Sequence, residues 1–540
     1  MDVAQLAEEV AALRENVERL TSTNGELLQS NEKLAAEREQ YRQLYLQMLE
    51  QCKRLERGLL GQKAERLTAN DAQLTLQLLG TLLGQREDPA GEVTGAGTQI
   101  VQAHARPKPT GRKPLPEHLP HVEIEILPEE VKREGLDAFE RIGEEVRDSV
   151  ERRPASVVVV RIVRPKFVRK DRERLAATSV LVAETPELPI ERGVAGPGLL
   201  ADTIVRRWAD HLPLHRLEKI YAREGLELAR STLCGWHEQL RELVDPLLEA
   251  MWTDARAAPY LCTDATGVLV QAKERCRRGH FWVVVAPQRH VLFRYSAKHD
   301  REAVDRMLAG YEGYLVADAH AVYDHLYANG QVVEVGCWSH CRRYFFESLA
   351  TDPERARQAL AFIQGLFAIE RTLTEGSCRR RAAVRNERSR PLVEGFFAWC
   401  DAQADQVLDD TPIAKGVRYA RNQRPALERF LEDGRLPIHN NGSERELRRE
   451  AVGRKNWLFV GSDQAAEVNT AFVSLLASCQ MHGLEPWSYL RDLLCLLPRW
   501  SQRRVLELAP ASWRQTLEQP DTQQRLAANV YRKVALGEIE

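Results

Sequence analysis

The run Tyr260–Val270, YLCTDATGVLV, sets the hardest condition on how this chain can fold. Its β-branched and apolar content predicts a buried strand, yet Asp264 interrupts it. A second strand-like run, residues 314–317, ends on Asp318. Carboxylates inside or at the end of core strands cost free energy unless something pairs them. A divalent cation is one solution, because Mg²⁺ prefers hard carboxylate oxygens and keeps water and phosphate as its other ligands. Residues 281–286 and 290–295 read as a hairpin closing at Pro287-Gln288-Arg289. Residues 331–336 read as a further strand, followed by Cys337-Trp338-Ser339-His340 and a helix.

A third acid stands far along the chain. In LPIHNNGSERELRREAVGRKNWLFVGS, residues 436–462, Pro437, Asn440, Asn441 and Gly442 predict a loop, and Ser443 an N-cap. Glu444 then falls in the first helical turn, where exposed N–H groups and the helix dipole keep it ionised. Arg445, Arg448, Arg449, Arg454 and Lys455 spread cations along the same helix. A carboxylate among cations suits a site where metal and nucleic-acid phosphates meet; a solvated helix with an ordinary capping acid is the alternative. Trp457 reads as a core residue rather than a base-stacking one. Cys337, His340 and Cys341 supply three of the four ligands a zinc site needs, so a buried strand-to-helix junction is the better reading, with His340 near DNA or the acids.

At 540 residues several cores are needed. A net charge of −2 means that any nucleic-acid binding comes from local patches. No apolar leader stands at Met1 and no run reaches the length of a membrane span, and ten cysteines without paired spacings fit reduced thiols in a cytoplasm. Residues 1–60 carry a heptad, with Leu6, Leu13, Leu20, Leu27, Leu34 on one seam and Val3, Val10, Val17, Asn24, Asn31 on the other; valine opposite leucine favours a parallel two-stranded coiled coil, with asparagines fixing register. Residues 61–115 follow as a short helix, a flexible linker and a basic arm containing Arg106, Lys108, Arg112 and Lys113, suited to a phosphate backbone or a minor groove, or else simply solvated. Residues 116–190 predict a small α+β module in which strands alternate with a charged helix. Residues 191–250 are helical, and the order helix, glycine turn, helix opening at Arg230-Ser231-Thr232 resembles a helix-turn-helix, with Ser231 as N-cap. Residues 251–349 begin the acid-bearing core and 350–435 form an arginine-rich helical insertion. Residues 436–500 complete the core, and 501–540 are a helical tail.

Strand, hairpin, a strand carrying a second acid and a late helix carrying a third is an RNase H-like order. The whole is therefore expected to be a multidomain α+β chain with an RNase H-like α/β core. The stretches TDATG (263–267), YLVADAHAVYDHL (314–326), GCWSHCRRYFFE (336–347), NNGSERELRREAVGRKNWLFVGS (440–462), GLEPWSYLRDLL (483–494) and PGLLADTIVRRWADHLPLHR (197–216) make the chain resemble IS66-family transposases over nearly its whole length. The resemblance implies an aspartate, aspartate, glutamate triad at Asp264, Asp318 and Glu444 that binds Mg²⁺, with Mn²⁺ as a substitute. It implies cleavage and joining of double-stranded DNA at the terminal inverted repeats of an insertion sequence and at target DNA. Implied partners are a homodimer or higher oligomer through the coiled coil and accessory proteins of the same element, with no membrane. The implied location is the bacterial cytoplasm, at the nucleoid. A catalytically inactive relative that binds element ends as repressor or scaffold is the rival reading.

The chain departs from the family pattern twice. No cysteine lies between Cys52 and Cys234, where relatives carry cysteine pairs of a zinc-binding module, so zinc is not expected. His439 stands where relatives carry an aspartate before the two asparagines, and His439 and Asn440 are counted with His340 as site-supporting residues.

Overall fold

A computed structural model of the chain describes residues 119–539, apart from 154–155, 171–179, 274, 329 and 374–375, together with separate helical positions between residues 17 and 42. The architecture is multidomain α+β with two small sheets. The chain divides into two compact units, one of Met1–Lys113, Arg343–Ala361 and Ala398–Tyr419, the other of Pro114–Arg342, Phe362–Phe397 and Ala420–Glu540.

In the first unit, Val17, Asn24, Asn31 and Leu34 of the heptad are described and helical; the other heptad positions named above, the linker and the arm residues Arg106, Lys108, Arg112 and Lys113 lie outside the described residues. Elsewhere in this unit Phe345 meets Trp399 edge-on at 6.0 Å, Trp399 Nε1 donates to Gln358 Oε1 at 2.9 Å, and Arg355 Nε donates to Gln403 Oε1 at 2.8 Å.

The second unit opens with a three-stranded sheet of order β1-β3-β2, made of β1 (His121–Glu125), β2 (Phe139–Arg153) and β3 (Ser156–Arg169), with α1 (Glu129–Glu134) between β1 and β2. β1 runs parallel and β2 antiparallel to β3. The expected charged helix is confined to α1. The equally charged sequence FERIGEEVRDSVERR is a strand, because its ladder with the valine-rich β3 runs from Phe139↔Arg169 to Arg153↔Ser156. Cross-strand pairs Arg164–Glu145 and Arg161–Asp148 then use its charges. Val122, Val158, Val160, Ile162 and Leu188 form the core of this module, and Tyr531 and Val534 complete it.

Glu151 on β2 ties the module to the helices that follow. Its Oε1 accepts the N–H of Leu199 at 2.8 Å, in the first turn of α2 (Pro197–Ile204). Gly196 and Gly198 leave no room for a side chain beside that carboxyl. α2 continues into a π-helical turn, Val205–Ala209, and α3 (Leu214–Arg223) leads through Gly225, at φ +87°, to α4 (Arg230–Ala255). The helix–turn–helix order is therefore present. Ala229 rather than Ser231 occupies the N-cap of α4, which places Ser231 inside the first turn.

The larger sheet has the order β6-β5-β4-β7-β8. β4 (Tyr260–Val270), β5 (Arg277–Ala286) and β6 (His290–Ser296) are antiparallel neighbours, with Gln288 at φ +61° in the turn between the last two. After α5 (Arg301–Leu308), β7 (Gly313–Val316) pairs parallel with β4; after α6 (Asp324–Tyr327), β8 (Val332–Val335) pairs parallel with β7. α7 (Trp338–Ser348) leaves β8, and α8 (Pro353–Arg371), α9 (Cys378–Val384), α10 (Arg390–Ala404), α11 (Pro412–Asn422) and α12 (Arg424–Glu428) follow it along the chain. Trp338 is packed within the second unit. Its ring lies 5.2 Å from Phe396, and its indole N–H donates to Leu427 O at 2.9 Å.

The chain returns as α13 (Asn441–Trp457), α14 (Asp463–Met481) and α15 (Pro486–Leu496). α14 covers the edge strand β6, where the hydroxyls of Ser474 and Ser478 accept the N–H groups of Phe293 and Val291. Two serines four residues apart on one helix face thus satisfy backbone donors that an open edge would leave to another strand. Three short helices, α16 (Trp513–Glu518), α17 (Pro520–Ala528) and α18 (Val530–Leu536), end the chain, and α18 supplies Tyr531 and Val534 to the small module. Among the described residues, no helix is long and apolar enough to cross a membrane.

Burial pushes the Glu151 carboxyl up to about 8, against the N–H groups of Arg152, Leu199 and Gly198 and the charge of Arg491. Below the ordinary carboxylate range the group is protonated in folded and unfolded chain alike, and its stability contribution is intact. As pH rises towards 8 the unfolded chain releases the proton while the folded chain holds it, so stability falls. Glu151→Gln, neutral at every pH, should flatten this decline by an amount on the order of a few kcal/mol. Thermal melts between about pH 5 and about pH 9 read it directly.

Candidate active site

Strand register brings the two aspartates together. The parallel ladder of β4 and β7 pairs Tyr260 with Tyr314, Leu261 with Leu315 and Cys262 with Val316. Two positions further along each chain stand Asp264 and Asp318, and neighbouring strands lie about 4.8 Å apart. Both are half-buried at the end of this ladder. Tyr323, buried beneath them, senses both: burial first, then the charges of Asp318 and Asp264, raise its hydroxyl well above the ordinary tyrosine range.

The third acid arrives through a buried amide. Asn440, fully buried, donates from Nδ2 to the carbonyl of Thr263 at 2.7 Å, one residue before Asp264. Its own N–H donates to Cys337 Sγ at 3.2 Å, and Trp338 N–H donates to Ile438 O at 3.1 Å. The loop before α13 is therefore fastened to β4 on one side and to the β8–α7 junction on the other. Asn440 is the N-cap and α13 begins at Asn441. Ser443, expected to cap, lies inside the helix and donates its hydroxyl to Asn440 O. Glu444 stands in the first turn of α13, its carboxylate 3.4 Å from His340 Nε2. Cys337, in the core under this junction, also senses the Glu444 charge.

The other expected residues divide by placement. His439 stacks on Phe367 at 5.9 Å, and its Nδ1 accepts the Asn441 N–H, so it supports the loop. Arg454 is turned inward, donating to Thr266 Oγ1 and Gly267 O on β4, where it anchors α13 along the sheet. Arg448 and Lys455 are exposed, as are Arg230, Ser231 and Thr232, with Arg230 3.3 Å from Glu218.

A cluster of rings beside Asp318 was not anticipated from the sequence. His299 stacks on Trp282 at 4.6 Å and meets His320 edge-on at 4.6 Å, with His280 5.0 Å away. Burial, and then His320, hold His299 below the usual imidazole range while Asp318 pulls the other way. His320, two residues after Asp318, was the one available signal; His299 comes from a separate loop and carried none.

Residues 192–468 match the family model described as Transposase IS66 family, a span that contains all three acids. The chain belongs to the IS66 transposase family. Residues 47–124 of this family member match a second model, described as Transposase C of IS166 homeodomain. Three Sinorhizobium fredii (strain NBRC 101917 / NGR234) proteins are similar over most of their length. The one named uncharacterized protein y4hP is 30% identical over 488 residues, 85% of this chain and 87% of its own. Uncharacterized proteins y4qI and y4jD are 29% and 27% identical, covering 84% and 86% of this chain. Family membership supports a transposase role.

Membership of this transposase family implies a divalent metal, and the donors suit one. An aspartate within β4, a second two residues past the end of the parallel neighbour β7, and a glutamate at a helix start offer hard oxygens, the ligand type Mg²⁺ prefers. Among the described residues, no three His, Cys, Asp or Glu side chains converge closely enough to hold a metal as they stand. The donor chemistry fits, then, while the side chains are not closed around one point. Removing the fastening amide should be felt first in stability. Asn440→Ala leaves the Thr263 carbonyl without this donor and should lower unfolding free energy by roughly 1–3 kcal/mol, measured by urea denaturation.

Proposed function

We propose that this chain is a DNA transposase that binds the ends of an insertion sequence and cuts and joins DNA strands there, with Asp264, Asp318 and Glu444 as its catalytic acids. The observation that carries the reading is the parallel β4–β7 register, which ends two residues before Asp264 and Asp318, with the start of α13 fastened one residue from Asp264. The strand order β6-β5-β4-β7-β8, three antiparallel strands followed by two parallel ones, supports an RNase H-like core.

In this reading the three carboxylates hold Mg²⁺, or Mn²⁺ in its place. Bound there, the cation would supply Lewis acidity to the scissile phosphodiester and lower the pKa of the attacking hydroxyl. The chain's own residues position the reaction. Asn440 fixes the start of α13 against β4, and His340 holds the Glu444 carboxylate from the side of α7. Arg448 and Lys455 neutralise phosphates along the approaching strand. Arg230, Ser231 and Thr232 face the major groove, and the arm with Arg106, Lys108, Arg112 and Lys113 follows the backbone. Water first attacks phosphorus at the element end, forming a P–O bond as the bond to the 3′-oxygen breaks. The 3′-hydroxyl so released then attacks a target phosphodiester and displaces its 3′-oxygen, with the nucleophile's proton passing to solvent. Val17 and Leu34, 60% and 59% exposed, are apolar heptad positions that a second copy of the helix would cover. The work is done in the bacterial cytoplasm, on nucleoid DNA, alone or with accessory proteins of the same element.

Purified protein with Mg²⁺ and a duplex copied from the DNA bordering its gene should yield nicked and joined strands. Asp264→Asn should remove these products and leave duplex binding intact. Equal behaviour of the two proteins would instead favour an end-binding repressor or scaffold.

Replacing Arg106 and Arg112 together by alanine should make the slope of log affinity against log salt shallower by roughly 2, read by fluorescence anisotropy. An unchanged slope would take the arm off the phosphates.

A further inference from the structure

The outward face of α13 begins beside Glu444 with Arg445, Arg448, Val452 and Lys455, spaced three and four residues apart and all exposed. At its end the backbone does something costly. Leu458 has φ +64° and ψ −47°, and the N–H of Phe459 donates to the carbonyl of Trp457 at 2.7 Å. This is a γ-turn with a branched side chain at its centre, a rare and strained conformation. The turn is clamped on both sides. Leu458 N–H donates to Arg454 O, Val460 N–H donates to Leu269 O, and Gln271 N–H donates to Val460 O.

Strain of this kind is usually repaid by packing, and here it is not. Val460 points into a core with Val268, Val270 and Phe281. Leu458 and Phe459 face outward, 65% and 42% exposed. Leu269, one position before the Val270↔Val460 bridge just as Phe459 is, is 50% exposed, and Val452 is 46% exposed. The fold thus spends backbone strain to hold two large apolar side chains in solvent, at the end of a row of cations.

We propose that Leu458 and Phe459 form a wedge that unstacks bases of the DNA held along α13. An apolar tip set among Arg448 and Lys455 is complementary to a partner with an anionic backbone and flat apolar faces within, and leucine and phenylalanine are side chains that enter base steps. The inference rests on the reading of this chain as one that acts on DNA ends, and it adds where and how the DNA is deformed. α13 also sets the distance. Thirteen helical rises of about 1.5 Å from Glu444 to Trp457, and the turn that follows, span roughly 20 Å, or about six base steps of 3.4 Å. The unstacked step therefore lies about six base pairs from the phosphate at the acids.

The probe is a duplex of about 40 base pairs copied from the DNA bordering the gene, with 2-aminopurine walked one position at a time from the cut, and Ca²⁺ present to permit binding. The full chain and its Asp264→Asn form should both raise the fluorescence several-fold near the sixth position. The double variant Leu458→Ser/Phe459→Ser, and separately Leu458→Gly, which tolerates the positive φ, should lose that rise. The double variant should also bind about tenfold more weakly, and thermal melts confirm that each variant is folded. Duplex bound, by anisotropy, without a rise at any position overturns the wedge and leaves the DNA-end reading standing. No binding of the duplex at all removes both. A double variant that keeps the fluorescence rise but loses mass in light scattering makes the patch a contact between copies of the chain and overturns the wedge.

Discussion

One buried side chain amide holds the site together. Asn440 joins the loop before α13 to Thr263 on β4, and its backbone N–H joins the same loop to Cys337 at the start of α7. The three elements it touches arrive from distant parts of the chain, and the register of β4 against β7 then fixes Asp318 relative to them. Its Oδ1 is buried without a hydrogen-bond partner, a cost of roughly 1–3 kcal/mol if nothing relieves it. A polar group kept under such conditions is one whose geometry matters more to the fold than its stability contribution does.

The acids were legible because a carboxylate in an apolar strand breaks a local pattern, and TDATG and the end of 314–317 show that break without any tertiary knowledge. The hairpin of β5 and β6 was legible for a similar reason, since Pro287-Gln288-Arg289 stands between two apolar runs. β2 was not, because FERIGEEVRDSVERR has the composition of a surface helix and becomes a strand only through its ladder with β3. Nor could the sequence show that Tyr531 and Val534, from the last helix, belong to the core of a module that starts near Val122. Arg454 illustrates the same limit at the site. By composition it is one more cation on a basic helix; by position it is a bolt to Thr266 and Gly267.

The histidines beside Asp318 show what distance along the chain conceals. His280, His299 and His320 come from a strand and two loops, and only the stacking of His299 between Trp282 and His320 makes them one group. Burial holds His280 and His299 below the usual imidazole range, which disfavours the charged form of these two rings.

α13 has two unlike faces, and the contrast explains how one helix can serve the site at both ends. Its inner side carries Glu450, fully buried, pushed up to about 7 by burial against the pull of Arg207. The Arg207 guanidinium lies 4.1 Å from the Trp208 ring and 5.6 Å from the Trp457 ring, so the π-helical turn after α2 grips α13 close to its end. Gly453, where a side chain would collide with the Trp457 indole, lets that ring fold back against its own helix. Anchored by Asn440 at the start, by Arg454 along β4 and by this aromatic grip near the end, α13 has little freedom to bend or slide. A rigid helix with an acid at one end and a strained apolar turn at the other fixes the interval between them, and any DNA that meets both must conform to that interval.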